Sequence, residues 1–146
     1  MVNKIIIIGI TVLLLSCGGN NQDRVSRDDI IAYMDEYFEN VKQYDFKLIE
    51  SFYSETMYTD TSKEEWNDLL NRIHAILGEL VSVKLTSWNI RSNLSTSGSG
   101  TTYTFVYNNV YENGESTETV AIFVPRGTKE IGIIGHHFTS NAFLRL

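Results

Sequence analysis

One cysteine, one proline and a shortage of basic residues mark this chain of 146 residues, and each scarcity excludes something. A lone cysteine cannot build a disulfide scaffold or a cysteine-based zinc module. Twelve Lys and Arg against eighteen Asp and Glu give a net charge of −6, the wrong balance for neutralising phosphates, so nucleic acid is not an expected partner. No apolar run approaches the ~20 residues that a spanning helix needs. The length suits one domain and excludes a large two-domain enzyme. Nucleophile elbows, phosphate loops and paired carboxylates of catalytic spacing are also missing, and no metal or cofactor is expected.

What is present begins at the N-terminus. Lys4 is the only charge before an almost wholly apolar run, Ile5 to Leu15, of eleven residues. A basic start followed by a short apolar core is an export-signal pattern. Leu14-Leu15-Ser16-Cys17 then resembles the lipobox of bacterial lipoprotein signal peptides, which are cleaved just before the cysteine. The resemblance implies that residues 1–16 are removed and that Cys17 becomes an acylated N-terminus, holding the protein to the lipid bilayer of the bacterial envelope, exposed to the periplasm or the cell surface. An ordinary secretory signal or an uncleaved anchor would also use the apolar run, but neither needs the only cysteine at its end. Multiple acyl chains, at about 0.8 kcal/mol per buried CH₂, hold a domain firmly. Loss of Lys4 leaves eleven basic and eighteen acidic residues, a mature net charge of −7. Residues 17–26 read as the lipidated cysteine and a polar tether; its nine residues after Cys17 span about 15–18 Å as a flexible coil.

Residues 27–146 read as a single α+β domain, because a helical pattern gives way near residue 80 to a Thr-, Val-, Ile- and Tyr-rich one. Charge divides at the same place: residues 17–80 sum to −8 and residues 81–146 to +1. Ser26 with Asp29 predicts a capped helix using Ile30, Met34, Tyr37, Phe38, Val41 and Tyr44. Asp45 predicts the cap of a short helix with Leu48, Ile49 and Phe52. Ser62 with Glu65 predicts a third helix, with Trp66, Leu69, Leu70, Ile73, Ile76, Leu77 and Leu80 on one stripe and Gly78 near its end. Strands are expected at 81–91, 102–112, 115–125 and 129–139, the first two joined by the loop Ser95 to Gly100. Asn113-Gly114 predicts a two-residue type I′ hairpin that pairs Tyr107 with Val120, Phe105 with Ile122 and Tyr103 with Val124. Gly127-Thr128 as a second turn pairs Val124 with Ile131 and Ile122 with Ile133, on the same face.

Phe52-Tyr53-Ser54, Ser62-Lys-Glu-Glu-Trp66, Leu77-Gly78-Glu-Leu80 and Trp88, followed by a Gly-rich loop and Tyr103-Thr-Phe-Val-Tyr107, look like small bacterial envelope proteins of uncharacterised-function families. These resemble the cystatin-like roll shared with nuclear transport factor two and limonene-epoxide-hydrolase-like domains. The likeness departs at Glu130-Ile131, where such families usually carry a tryptophan. It implies N-terminal helices packed on a curved four-stranded antiparallel meander sheet, and no activity in particular.

His136-His137 attracts attention, but neighbours on a strand point to opposite faces unless a bulge intervenes, which argues against a shared metal. His74, at the edge of the third helix's stripe, reads as a half-buried structural histidine. Continuing the predicted register places Asn109, Glu118 and His137 together on the core face. A carboxylate beside an imidazole is a general acid/base pair, or simply a solvated polar rim. The aromatic residues read mainly as core. Two functions follow: a non-enzymatic binding or interaction module facing an envelope protein or small ligand, and a small-ligand enzyme built on Glu118 and His137. A concave cavity lined by polar groups points to the enzyme. A space filled by Tyr103, Phe105 and Trp66 points to the module.

Overall fold

A computed structural model describes residues 25–94 and 98–145. The signal segment, Cys17 and most of the tether lie outside these residues. Val25 and Ser26, expected in the tether, belong to the domain: the Tyr103 hydroxyl donates to the Val25 carbonyl at 3.0 Å, and Ser26 caps the first helix.

The helices start where capping chemistry puts them. In α1 (Arg27–Gln43) the Ser26 hydroxyl accepts from the Asp29 N–H at 3.2 Å while the Asp29 carboxylate accepts from the Ser26 N–H at 2.8 Å. These bonds to Ser26 hold the Asp29 carboxyl below its usual range. Ile30, Met34, Tyr37 and Phe38 form the buried face, and Tyr44, left-handed at φ 56°, ends the helix. Asp45 caps α2 (Phe46–Ser51) through the Leu48 N–H at 3.1 Å; Ile49 and Phe52 turn inward, but Leu48 is exposed rather than core. A 3-10 turn at Glu55–Tyr58 leads to α3 (Lys63–Leu77), started by the Ser62/Glu65 capping box and buried along Trp66, Leu70, Ile73 and Leu77.

Four strands follow in an antiparallel meander: β1 (Leu80–Asn93), β2 (Gly100–Tyr111), β3 (Gly114–Pro125) and β4 (Gly132–Thr139). A last 3-10 turn, Asn141–Arg145, packs beside β3 and α3. The architecture is therefore α+β, with helices first and an open four-stranded antiparallel sheet after them.

The registers differ from expectation in an instructive way. The β2–β3 turn is Glu112-Asn113, one residue earlier than predicted, so Tyr111 pairs with Gly114 and every partner moves by two: Phe105 faces Val120, Tyr103 faces Ile122 and Tyr107 faces Glu118. Neither turn residue has positive φ, so it is not type I′. The cause is a clamp on the end of α3. The Asn113 N–H donates to the Leu77 carbonyl at 2.8 Å and the Glu112 N–H to that of Glu79 at 3.0 Å, using acceptors that the helix end and its exit leave over. Gly78, at φ 77°, lets the chain leave the helix here, where a Cβ would lie 2.8 Å from the Glu112 carboxylate. A two-residue slip preserves the face, so the apolar surface survives although the pairs change.

Ile122 does pair with Ile133, but Val124 does not pair with Ile131, because β4 begins only at Gly132. Ile134 then bulges between the pairs Ile122–Ile133 and Ala121–Gly135. Along the outer side of β4, Tyr53 forms a parallel bridge with Ile133: the Ser54 N–H donates to the Ile133 carbonyl and the Ile133 N–H to that of Phe52, both at 2.9 Å. A Cβ at Gly132 would lie 2.8 Å from the Ser54 Cβ, so this close approach requires glycine. The core is Ile30, Met34, Phe38, Leu77, Phe105, Val120, Ile122 and Ile133, all essentially inaccessible. Each contributes on the order of 1.5–3 kcal/mol by burial, upper-bound figures because the unfolded chain is already partly compact.

Candidate functional site

The bulge decides which histidine enters the core. Without it, Ile133, Gly135 and His137 would share the inner face. One extra residue reverses the alternation, so His136 and Phe138 turn inward and His137 turns out. His137 is thus not part of the cluster: it is exposed, its Nε2 3.3 Å from the Thr139 hydroxyl. His136 takes the place expected for it, opposite Val120 and beside Glu118.

Around His136 lies a continuous buried network. Its Nε2 is 3.0 Å from Glu118 Oε2, with the two side chains 0% and 1% exposed. Its Nδ1 is 2.9 Å from the Tyr53 hydroxyl, which is 2.9 Å from that of Tyr37. The Tyr111 hydroxyl donates to the other Glu118 oxygen at 2.6 Å. With a neutral imidazole, Nε2–H donates to Glu118 while Nδ1 accepts from Tyr53, which accepts from Tyr37. With an imidazolium, Nδ1–H donates to Tyr53 and the two tyrosines exchange roles. The chain therefore holds its bonds with or without the extra proton. Burial raises the Tyr37, Tyr53 and Tyr111 hydroxyls well above the usual tyrosine range, and the Glu118 carboxylate adds to the rise for each. Tyr53 and Phe138 also stack on the imidazole, at centroid distances of 6.3 and 4.1 Å.

Asn109, the third residue expected here, is fully buried on the same face. It lies opposite Ser116, yet neither its amide atoms nor the Ser116 hydroxyl has a hydrogen-bond partner among the described residues. Register thus brings Asn109 and Glu118 to one end of the inner face but connects only Glu118 to the network. His74 is partly buried and stacks on Tyr44 at 3.7 Å, a structural contact.

A narrow cleft between the helices and β4 reaches this network. Val41, Phe46, Leu70 and Phe138 line it, together with Tyr111 and Glu118. Its free volume is about 40 Å³, room for water but not for an organic substrate. Tyr103, Phe105 and Trp66 are all buried and occupy the space between helices and sheet. Among the described residues no three His, Cys, Asp or Glu side chains could share a metal ion, and no helix is long and apolar enough to cross a membrane.

The tyrosines of the network were missed from sequence, although a signal existed. Tyr37 sits beside Phe38 and Tyr53 beside Phe52 on stripes that bury both members. A tyrosine on such a stripe must bring its hydroxyl a partner. Compared with known proteins, the chain matches no family model, no curated protein and no solved structure.

Proposed function

We propose that this chain is a lipid-anchored bacterial envelope protein whose one domain, of the cystatin-like roll type, acts as a non-enzymatic binding or interaction module. The lipobox-like Leu14-Leu15-Ser16-Cys17 supports the anchor, and helices on one side of an antiparallel meander suit the roll.

One observation carries the non-enzymatic reading: the residues that look catalytic are walled in. A general acid or base must lie within hydrogen-bond reach of its substrate. His136 and Glu118 are instead sealed among aromatic rings, with both imidazole nitrogens and both carboxylate oxygens already engaged. A network so placed holds α1, the Tyr53 segment, β2, β3 and β4 together. Recognition then falls to the outer surface, where an envelope protein or small ligand would be met.

The enzymatic alternative draws on the cleft, since Glu118 and Tyr111 line it. A substrate would have to displace the aromatic wall.

Mass spectrometry of the protein from bacterial membranes tests the anchor: Cys17 should be the N-terminal residue and carry acyl chains, and Cys17→Ser should leave the chain uncleaved or release it from the membrane. An unmodified Cys17 overturns the anchor. A screen of small hydrolase and isomerase substrates tests the alternative, and turnover abolished by Glu118→Gln in a folded protein would overturn the non-enzymatic reading.

A further inference from the structure

The end of the domain nearest residue 25 differs from the rest of its surface. Trp88 and Ile90 lie on the helix-facing side of β1, opposite the buried Phe105 and Tyr103, yet they are 47% and 42% exposed because no helix covers that part of the strand. Ile90 and the exposed Leu94 continue into a groove with Val25, Tyr103, Val124 and Arg126. The Arg27 guanidinium sits over the Trp88 ring at 5.1 Å.

Charge changes here too. The mature chain is strongly acidic, but Arg27, Arg91, Arg126 and Lys129 are all exposed at this end. Its carboxylates are Asp28, Asp29 and Glu130. Asp28 is paired with Arg27 at 3.0 Å and Asp29 is engaged in the Ser26 cap. Arg91, Arg126 and Lys129 form no ion pair among the described residues.

The chain also enters the domain at this point. Val25 is fixed here by Tyr103, and Cys17 lies eight residues upstream. Eight residues reach at most about 26–29 Å. If Cys17 is in a bilayer, this end is the part of the domain held against it. Tryptophan, aliphatic side chains and arginine are the combination that suits an anionic lipid–water boundary.

We propose that this end is a docking face for an anionic lipid surface, with Trp88 and Ile90 entering the headgroup layer and Arg27, Arg91, Arg126 and Lys129 meeting lipid phosphates. The proposal rests on the reading of Cys17 as the anchor. The acidic remainder of the domain is repelled by the same surface, so tether, apolar residues and charge all favour one orientation.

The sole cysteine makes this directly testable. The mature chain, residues 17–146, is coupled through Cys17 to a maleimide-headgroup lipid in phosphatidylglycerol–phosphatidylethanolamine vesicles with brominated acyl chains. Of the two tryptophans, Trp66 is buried and Trp88 exposed. Tryptophan emission should be quenched relative to unbrominated vesicles, and the quench should vanish in Trp88→Phe. It should weaken in Arg91→Glu/Arg126→Glu and in phosphatidylcholine vesicles, with circular dichroism confirming each variant's fold. Absence of quenching in verified coupled protein, or quenching unchanged in Trp88→Phe or in phosphatidylcholine, overturns the proposal. Chemical coupling makes the outcome independent of acylation in cells, so failure of the docking face and failure of the anchor are read separately.

Discussion

The inner face of the sheet has a dry half and a polar half built on the same alternation. Under α1, Tyr103 and Phe105 on β2 meet Val120 and Ile122 on β3, and Ile133 on β4. Further along the same strands, Asn109 and Tyr111 meet Ser116, Glu118 and His136. Both halves are buried, but they tolerate change differently. Apolar side chains need only to be covered and well packed. Polar ones must also find partners, so their stability depends on several elements arriving together. Glu118 and His136 meet that demand. Asn109 and Ser116 do not.

The largest expected effect lies in the dry half. Phe105→Ala should cost about 3–5 kcal/mol in urea unfolding, through lost transfer energy and a cavity that rigid neighbours cannot close. Next comes Glu118→Leu, which leaves His136 Nε2 and the Tyr111 hydroxyl without an acceptor at about 1–3 kcal/mol each, partly offset by the burial of leucine. Adding Tyr111→Phe should recover part of this loss, and a double-mutant cycle should show coupling of about 0.5–3 kcal/mol. Strict additivity would mean that the polar half is no more cooperative than the dry one.

Alkaline titration reads the same contrast. Burial raises the hydroxyls of Tyr37, Tyr53, Tyr107 and Tyr111, and pushes Tyr33 up to about 12. The folded state therefore retains protons that the unfolded state loses from about pH 10. Stability is fully present below pH 10 and falls as pH rises from there through the folded-state values. The slope of unfolding free energy against pH above 10 should be shallower in Tyr111→Phe. An identical slope would separate Tyr111 from the buried titration.

The smallest effects concern neighbours with opposite fates. Asn109→Leu removes a buried amide without a partner among the described residues and should stabilise the domain by about 1 kcal/mol. His137→Ala should stay within about 0.5 kcal/mol of wild type. Differential scanning fluorimetry resolves both, and a large loss in His137→Ala would reverse the assignment of the two histidines.

Capping explains how far the sequence could be read. Ser26/Asp29, Asp45 and Ser62/Glu65 act over three residues, so α1, α2 and α3 start as expected. Strand faces were legible because alternation survives a two-residue slip. Individual pairs were not, since the β2–β3 turn is set by contacts with Leu77 and Glu79, more than thirty residues away in sequence. The site was half legible for the same reason. Asn109 and Glu118 follow from alternation, whereas choosing His136 over His137 required the bulge at Ile134, for which no local turn residue gives notice. The tyrosine hydroxyls that complete the network come from separate elements and meet only in the folded chain.

The Tyr53–Ile133 bridge has a consequence for growth between molecules. A sheet with two bare margins can polymerise, each copy templating the next. Here the Phe52–Ser54 segment occupies the margin at Gly132–Ile133, leaving β1 as the long open one. Strand addition along β1 joins two copies and then has no equivalent margin to extend from. Association by this route is self-terminating at a pair, a safeguard against fibres where the density of tethered copies is high.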